Sequence, residues 1–481
     1  MATTLDPARP SPRAGKYPLE PGRFDEAFAT GGTPRPPYAA VLDALARHDL
    51  AMLRERVQSS AAALGLDFGK GEPLAVDAVP RLIAASEWEA LEAGLLQRAK
   101  ALNSFLLDAY GGQRIFDAGI VPRRLLETSS GYEPRMRGLL DPGMPPATVA
   151  GLDLIRGADG AWLVLEDNLR MPSGAGYAIA AREAVAGALG ASPQPRPLDS
   201  YVGELGAAIR AAAPDGREDP AAAIVSDGPA SGAWYEHRRL GRELGITVVV
   251  ASELEVGRGR LFARHGRDRR QLDVIYRRLD EDRLSTPEGG LTDLGELLLP
   301  ALRSGRLRCA NAFGTGLADD KLAHAYSESM VHFYLDEEPL LRSVSSFDLS
   351  EEEPREAAMA RLDELVIKPR DGFGGRGVTI MPRATEPQRR RAIGLVRRRP
   401  AGFIAQETVQ LSSHPTVCEG RLRPRRVDLR PFVVSSAAGA AAMPGGLTRY
   451  ARGADEMVVN SSRGGGCKDT WVIEAPAAEA R

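Results

Sequence analysis

The chain has 481 residues, 43% of them hydrophobic, and a formal net charge of −2. A chain of this length buries a large core and is expected to divide into two to four domains. The near-neutral charge gives no indication of a nucleic-acid or membrane-surface partner. Its three cysteines are too few and too scattered for a disulfide framework or a metal site, which is typical of a reduced, cytoplasmic protein.

The N-terminal part of the chain is predicted to be an extension followed by helices. Met1 to Pro37 is proline-rich and polar and lacks the apolar segment of a signal peptide or membrane anchor, so it is expected to be loosely ordered. Apolar residues recur at helical spacing from Tyr38 to Leu64 and again from Glu87 to Ala109. Both stretches are therefore predicted to be amphipathic helices.

A predicted hairpin carries the first group of acidic residues. Gly151 to Asn168 reads as two strands joined by Asp159-Gly160, a dipeptide favoured in type I′ turns. With these two residues at the turn centre, Asp153 lies opposite Glu166, and Asn168 shares their face. Facing carboxylates destabilise a hairpin unless something neutralises them, and carboxylate and amide oxygens are ligands of Mg²⁺ beside nucleotide phosphates. The alternative is a solvated hairpin whose acids point to water.

A parallel-sheet unit is predicted next. The helical pattern of 198–213 ends at a proline and glycine, and 222–225, 231–244 and 247–250 then read as strand, helix and strand. This β-α-β order builds parallel sheets, and Asp273 to Tyr276 supplies another strand.

The stretch Val366 to Ile380 resembles a phosphate-binding flap. Lys368 lies on an apolar strand that runs into a loop, and β-branched residues after the loop continue as a second strand. Glycines allow backbone N–H groups to surround an anion closely. A dinucleotide-binding fingerprint would open a helix here, and a P-loop would place its lysine after the glycines. The flap glycines are Gly372, Gly374, Gly375 and Gly377. A glycine-rich hairpin with an incidental lysine is the alternative.

Lysine is rare in this chain. Lysine and arginine together number 62, of which only six are lysine. A compact ammonium retained beside a glycine loop indicates a point-charge contact with phosphate. The same interpretation applies, more weakly, to Lys321 and Lys468.

Four other groups of polar residues are candidates whose roles the sequence leaves open. Asp319-Asp320 precedes a helix and suits its N-terminus. Gln406-Glu407 ends an apolar strand and is either an adenine-binding hinge or an ordinary strand end. Asp428, Arg430 and Arg449 suit an anionic substrate or form surface ion pairs. The arginine-rich run 389–399 is a docking patch or a solvated helix face.

Taken together, these motifs resemble the circularly permuted ATP-grasp proteins of type 2, relatives of glutathionylspermidine synthetase. The resemblance runs from about Tyr110-Gly-Gly-Gln-Arg114 to Val459-Asn-Ser-Ser-Arg-Gly-Gly-Gly-Cys-Lys-Asp-Thr-Trp471. It rests on Leu165-Glu-Asp-Asn168, Asp273-Val-Ile-Tyr-Arg-Arg-Leu-Asp280, Val366-Ile-Lys-Pro369 and Asp428-Leu-Arg-Pro-Phe432. The metal-binding acids precede the nucleotide-binding lysines, the reverse of ordinary ATP-grasp enzymes.

The resemblance implies an α/β (α+β) ATP-grasp fold in circularly permuted order, with an inserted Rossmann-like pre-ATP-grasp domain. The predicted segments are an extension and helix (1–75), a helical segment with the metal-binding half (76–213), the β-α-β domain (214–300) and the nucleotide-binding part with the flap (301–481). A separate amidase domain like that of glutathionylspermidine synthetase is not recognised.

The resemblance also implies a role for each motif. Asp153, Glu166 and Asn168 match the Mg²⁺ ligands, and Lys321 and Lys368 match the lysines on the ATP phosphates. The flap glycines match the cover of the triphosphate, and Gln406-Glu407 matches the adenine hinge. The family's arginine two residues before the first metal-binding aspartate is replaced here by Gly151. Arg170 or Arg430 is expected to act in its place.

The function that the resemblance implies is an ATP- and Mg²⁺-dependent carboxylate–amine ligase that acts through an acylphosphate and releases ADP. Its expected substrates are amino acids, peptides or polyamines, with no nucleic-acid or membrane partner, and a homo-oligomer is possible. The alternative is a nucleotide-binding sensor or scaffold without ligase activity. A phosphotransferase, which would leave a stable phosphorylated product, is a third candidate.

Overall fold

A computed structural model describes residues 17–67, 69, 71, 73–189, 194–214, 217, 219–286, 288–372, 375–454, 456, 459 and 465–474. In these residues the helices are α1 Ala39–Ala46, α2 Leu50–Ala63, α3 Ala85–Tyr110, α4 Arg114–Asp117, α5 Arg124–Thr128, α6 Ala175–Leu189, α7 Asp199–Ala211, α8 Trp234–Leu244, α9 Asp293–Arg303, α10 Lys321–Ala325, α11 Ser327–Leu335, α12 Glu352–Ala360 and α13 Glu386–Arg398.

The strands are β1 Val76–Ala84, β2 Val149–Arg156, β3 Trp162–Asn168, β4 Ala222–Ser226, β5 Thr247–Val249, β6 Leu254–Gly257, β7 Arg260–His265, β8 Asp268–Leu272, β9 Val274–Arg278, β10 Arg308–Ala310, β11 Ser346–Asp348, β12 Leu365–Pro369, β13 Thr379–Ile380, β14 Phe403–Glu407, β15 Ser413–Cys418, β16 Arg421–Arg430, β17 Phe432–Ser436, β18 Gly439–Ala442, β19 Leu447–Tyr450 and β20 Gly466–Ile473. This is a mixed α/β architecture, consistent with an ATP-grasp type of fold.

A nine-stranded sheet forms the largest layer. Its order is β1-β20-β19-β16-β2-β17-β18, with β15 added to β16 and β3 added to β2. The chain's first three strands therefore share one sheet with its last six. Residues 413–473 thus belong to the same sheet as the strands between residues 76 and 168.

Three smaller sheets complete the fold. The order β10-β9-β4-β5 is parallel throughout, so the strands predicted at 222–225, 247–250 and 273–276 do share one sheet, and the unit extends past residue 300 to Ala310. The order β11-β14-β12-β13 is antiparallel, and β6-β7-β8 is an antiparallel meander. The glycine loop connects β12 to β13, which pair with each other, as a strand–loop–strand flap requires.

The helices that pack on the large sheet carry long stripes of apolar side chains along one face. In α3, 26 residues long, buried side chains recur every three or four positions, as in Trp88, Leu91, Leu95, Ala99 and Leu102. The stretch predicted as one helix from Tyr38 is instead two helices, α1 and α2. The break falls at Asp49, whose carboxylate accepts hydrogen bonds from the first N–H groups of α2 and so starts a new helix.

The described part of the N-terminal extension is packed rather than loosely ordered. Residues 25–28 are buried, and Glu26 forms a salt bridge with the fully buried Arg81 of β1. The Glu26 carboxylate oxygens accept hydrogen bonds of 2.5 and 2.6 Å from Arg81. Although burial opposes ionisation, Arg81 and Arg156 lower the pKa of Glu26 to about 2.

We expect Arg81→Met to lower the free energy of unfolding by about 3–5 kcal/mol, because it removes the fully buried partner of the Glu26 carboxylate and leaves the longer 3.9 Å contact to Arg156 Nε. Arg47→Met, at an exposed position of the same region, should change it by less than about 0.5 kcal/mol. Urea unfolding of the two variants measures the difference, and an equal effect of both would show that the ion pair does not anchor the segment.

The acidic hairpin pairs its acidic residues as predicted, but its turn and the register between Asp153 and the turn differ from the prediction. Asp153 pairs with Glu166 and Gly151 with Asn168, as predicted, but after Asp153 the register shifts by one residue. The turn is also one residue longer than a two-residue type I′ turn, since the N–H of Gly157 bonds to the carbonyl of Ala161. The bulge and the longer turn offset each other, so the acidic residues still face one another.

Candidate active site

A cavity of about 420 Å³ lies between the β2–β3 hairpin and the flap-bearing sheet β11-β14-β12-β13. Most of the residues singled out in the sequence line it: Asp153, Glu166, Asn168, Arg170, Lys321, Lys368, Gly372, Gly375, Gln406, Glu407 and Arg430. Gly377 is not among the lining residues, and Gly374 lies outside the described residues. Residues as far apart in sequence as Asp153 and Arg449 thus share one cavity.

Arginines hold the Asp153 carboxylate. Arg430 binds both of its oxygens through Nε and Nη2, at 2.5 and 2.8 Å, and Arg449 Nη2 donates to Oδ2 at 2.9 Å. Despite burial, these cations lower the pKa of Asp153. Arg449 also binds Asp428, whose pKa burial raises. The charge of Asp153 is thus neutralised by cations, and its side chain is buried rather than solvated.

Two of the six lysines flank Glu166. Lys321 Nζ lies 3.3 Å from Glu166 Oε1 and donates to the carbonyl oxygen of Gly372 in the flap. Burial opposes ionisation of Glu166, but Lys321 and Lys368 together lower its pKa. Burial lowers the pKa of Lys368, with Glu166 opposing that shift. Both ammonium groups are therefore held beside the acidic hairpin and under the flap.

Asp167 anchors the strand from its other side. It alternates along β3 with Glu166 and Asn168 and is buried, with Arg98 donating to its two oxygens at 2.7 and 2.8 Å. His324 of α10 bonds to it at 2.7 Å, one helical turn from Lys321. This contact connects β3 with α10, the helix that carries Lys321.

The donor set fits a magnesium ion with one constraint. No group of three or more His, Cys, Asp or Glu side chains suited to a metal is found in the described part of the chain, so a site here needs the amide of Asn168 or oxygens from a ligand. Asn168 Nδ2 is a buried donor without a hydrogen-bond partner among the described residues and cannot ligate a cation, so the Asn168 ligand would be its amide oxygen; the Glu166 side chain is 34% exposed. Asp153 offers only the lone pairs that the two arginines leave free.

Gly151 and Arg430 explain one departure from the family pattern. A Cβ at Gly151 would lie 2.6 Å from the Cβ of Pro172 and 3.5 Å from the Cδ of Arg430. A side chain at 151 would therefore clash. The Arg430 chain runs beside that position, and its guanidinium reaches Asp153 from the neighbouring strand. Arg430 thus lies beside Gly151 and binds Asp153.

Three consecutive residues at the end of β14, Gln406, Glu407 and Thr408, line the cavity together with apolar side chains. Gln406 Nε2 bonds to Ser346 Oγ at 3.1 Å, and Glu407 pairs with Arg361 at 3.0 Å. Thr408 Oγ1 is buried without a hydrogen-bond partner in the described structure. The sequence analysis did not identify Thr408, because nothing in the sequence shows that a threonine hydroxyl has no hydrogen-bond partner in the folded chain. The apolar lining residues are Ile155, Leu165, Val366, Val378, Ile380, Val409, Leu411 and Val459.

Asp319 is a site residue that the sequence did not identify. Asp320 caps α10, accepting from the N–H of Leu322, whereas Asp319 lines the cavity and accepts from the N–H groups of Leu169 and Arg170. Burial raises the pKa of Asp319 to about 6. The helix-cap interpretation is therefore correct for one aspartate of the pair and wrong for the other.

The interpretation of Lys468 as a phosphate-binding residue is wrong. It is fully buried away from the cavity, paired with Asp77 and donating to the carbonyl oxygen of Pro415 at 3.0 Å. Asp469, the next residue, also forms a largely buried salt bridge, with Arg182. Residues 460–464 of the tail lie outside the described residues. Among the described helices, none is long and apolar enough to cross a membrane.

A mixed sheet, a smaller flap-bearing sheet and a cavity lined by two buried lysines and an acidic hairpin are consistent with an ATP-grasp type of fold. A profile of the circularly permuted ATP-grasp type 2 family matches residues 80–451. The chain belongs to this family.

Related proteins extend along nearly the whole chain. An uncharacterized protein of Mycobacterium tuberculosis is 38% identical over 469 residues, which are 95% of this chain and 85% of that protein. An uncharacterized protein of Synechocystis is 37% identical over 473 residues, or 95% and 98% of the two chains. A Frankia alni protein named "Putative glutamate--cysteine ligase 2-3" is 40% identical over 468 residues. That match covers 94% of this chain but 54% of the Frankia protein, so its name describes a protein almost twice as long.

Proposed function

We propose that the protein is an ATP- and Mg²⁺-dependent carboxylate–amine ligase. In this reaction the γ-phosphoryl group of ATP moves to a substrate carboxylate, ADP is released, and an amine displaces phosphate from the acylphosphate to form an amide. The observation that carries the proposal is the single cavity in which Lys321 and Lys368 face the acidic pair Asp153 and Glu166. The family and the name of the Frankia relatives support it.

The nucleotide lies, on this proposal, with its base at the Gln406–Thr408 edge and its phosphates under the flap. The apolar walls accept the base, and the unpartnered Thr408 hydroxyl and the Gln406–Glu407 strand end supply polar contacts. Lys321 and Lys368 hold the phosphates as point charges. The backbone N–H groups of the loop from Gly372 to Gly377 cover the triphosphate.

Glu166 and Asn168 would hold Mg²⁺, with Asp153 contributing through its remaining lone pairs. When bound, the ion would supply positive charge that neutralises the phosphates. Arg430 lies on Asp153 and is proposed to stabilise the charge that develops during phosphoryl transfer. The parallel sheet β10-β9-β4-β5 is proposed to be the inserted Rossmann-like domain that contributes to substrate binding.

The chain's own groups act by position and charge. Phosphoryl transfer needs its reactants aligned and its charge screened, so a protein nucleophile is not required. Lys368, 7% exposed, and Asp153, 3% exposed, lie in an environment where such charges act strongly. The cavity thus supports catalysis without a serine, cysteine or histidine.

Trapping the acylphosphate tests the proposal. With Mg²⁺-ATP, a pool of amino acids and peptides, and hydroxylamine in place of the amine, we expect ADP release and an equal amount of hydroxamate, detected by mass spectrometry. ADP release without hydroxamate, together with a stable phosphorylated product, would indicate a phosphotransferase.

A nucleotide-binding sensor or scaffold is the second candidate. The observation that favours it is that Asp153 is already paired with Arg430 and Arg449, while Gly151 lacks the family's arginine. Both candidates bind Mg²⁺-ATP, which calorimetry measures. The sensor is distinguished by a broad carboxylate screen, in which it forms neither ADP above background nor hydroxamate.

A further inference from the structure

Arg370 is a buried arginine at the base of the flap. It follows Lys368 by two residues, precedes Gly372 by two, and is 6% exposed. Its Nε and Nη2 donate hydrogen bonds to the two carboxylate oxygens of Asp320, at 3.0 and 2.8 Å. Such a forked pair fixes the orientation of the two side chains as well as their separation. The end of β12 is therefore held to the residue that precedes α10.

Asp320 also starts the helix that carries Lys321. Its Oδ1 accepts a hydrogen bond of 2.9 Å from the N–H of Leu322, in the first turn of α10. One carboxylate thus caps the turn that presents Lys321 and binds the arginine beside Lys368. Because the cap and the ion pair share this carboxylate, a shift of the Arg370 fork would move the two lysines relative to each other.

The other end of α10 is held by the acidic hairpin. His324 lies one helical turn after Lys321, and its Nδ1 bonds to Asp167 Oδ2 at 2.7 Å. Asp167 lies between Glu166 and Asn168 on β3. The short helix is therefore fixed by a buried ion pair to the end of β12 at its start and by a buried hydrogen bond to the hairpin at its end.

Further hydrogen bonds hold Arg370 in place. Its Nη1 donates to the Thr128 hydroxyl at 2.8 Å and to the carbonyl oxygen of Ala401 at 3.0 Å, and its backbone N–H bonds to the carbonyl of Gly402 at 3.1 Å. All three guanidinium nitrogens thus have partners, a geometry that the single ammonium of lysine does not reproduce. Neither Arg370 nor Asp320 is among the described residues that line the cavity. Any effect of this pair on a ligand must therefore pass through the residues that it holds.

We propose that Arg370 and Asp320 are positioning residues. Their ion pair holds the two cavity lysines at the separation that the phosphates of one nucleotide need, so the phosphate site is already formed before the nucleotide binds. Neither residue touches the nucleotide. This inference rests on the part of the proposed function that places the nucleotide phosphates at Lys321 and Lys368, and not on the ligase reaction.

Arg370→Lys tests the proposal, because lysine keeps the charge and loses the fork. Without the fork, binding energy from the nucleotide must restore the arrangement of the lysines, so affinity falls by up to what the lost contact supplied. We expect the full-length protein with Mg²⁺ to bind a non-hydrolysable ATP analogue about tenfold or more weakly, the scale of one charge-assisted hydrogen bond. Competition against a fluorescent nucleotide measures the affinity. Arg391→Lys, at an exposed position of α13, is the matched control and should bind like wild type.

Asp320→Asn is the second variant, since asparagine keeps an oxygen for the N–H of Leu322 but removes the charge of the pair. Its effect should match that of Arg370→Lys, and the double variant should bind about as weakly as either single one, because both changes break one contact. A role that passes through the lysines also predicts that Arg370→Lys costs less than about twofold in affinity in a Lys321→Met background.

The proposal is wrong if both variants bind the analogue as the control does, or if Arg370→Lys weakens binding equally with and without Lys321, which would indicate a general loss of structure. It is also wrong if thermal unfolding shows that both single variants lose the fold, because the pair then acts on stability. Absence of analogue binding by the wild-type protein would reject both this inference and the ligase.

The remaining outcomes separate the two proposals. The expected affinities without hydroxamate formation would retain the positioning pair and reject the ligase. Hydroxamate formation with unchanged affinities in the variants would do the reverse.

Discussion

Glu166→Gln is expected to reduce Mg²⁺-ATP turnover by about 100- to 1,000-fold while leaving the fold intact, the usual range for loss of one group that stabilises transition-state charge. Glutamine has nearly the same size and keeps an oxygen acceptor, but it loses the negative charge that pairs with Lys321 and, on our proposal, holds Mg²⁺. The half-exposed position limits any packing cost. Initial rates of ADP release over a range of Mg²⁺ concentrations measure the loss.

A raised Mg²⁺ requirement in Glu166→Gln would place the residue on the metal, since a ligand defect is partly overcome by a higher ion concentration. Asp159→Asn is the matched control, because Asp159 lies on the same hairpin but at its exposed turn, where asparagine preserves the acceptor for the N–H of Ala161. Wild-type turnover at every Mg²⁺ concentration in Glu166→Gln would remove the hairpin from the proposed metal site.

The acidic hairpin illustrates what sequence reasoning recovers. Strand alternation placed Asp153, Glu166 and Asn168 on one face, and this is confirmed by the pairing of the strands. The two-residue turn and the unbroken register were wrong, because a bulge after Asp153 and a longer turn have no signature in composition. Their effects cancel, since each moves the register by one residue.

The sequence did not predict which residues distant in the chain contact one another. Asp319 and Asp320 are adjacent and chemically identical, yet one caps a helix and the other accepts from backbone groups about 150 residues earlier in the chain. In the same way, the scarcity of lysine singled out Lys321 and Lys368 but also Lys468, which neutralises a buried aspartate. Composition shows that a residue type is special, whereas only the folded chain shows which anion it meets.

The cations around Asp153 also change an expectation about stability. From the sequence, facing carboxylates would repel one another, so removing them would stabilise the hairpin. In the structure Asp153 neutralises Arg430 and Arg449, so its removal leaves two largely buried guanidinium groups with one fewer partner. Substitution at Glu166 alone is therefore the cleaner test of the metal site.

Lys368→Arg is expected to lower ATP turnover about 100-fold, the scale of a misplacement of about 1 Å at a reacting centre. Lys368 is 7% exposed and lies in the cavity beside Glu166. The planar fork of arginine is larger than an ammonium and hydrogen-bonds in fixed directions, so it displaces the phosphates while keeping the charge.

Lys100→Arg is the matched control, because Lys100 is exposed on α3 and this chain otherwise uses arginine at most basic positions. The control should retain wild-type turnover, and thermal unfolding of both variants separates a local effect from loss of the fold. Unchanged turnover in Lys368→Arg would show that positive charge suffices at this position. The phosphates would then be positioned by Lys321 and the flap backbone rather than by the shape of the Lys368 side chain.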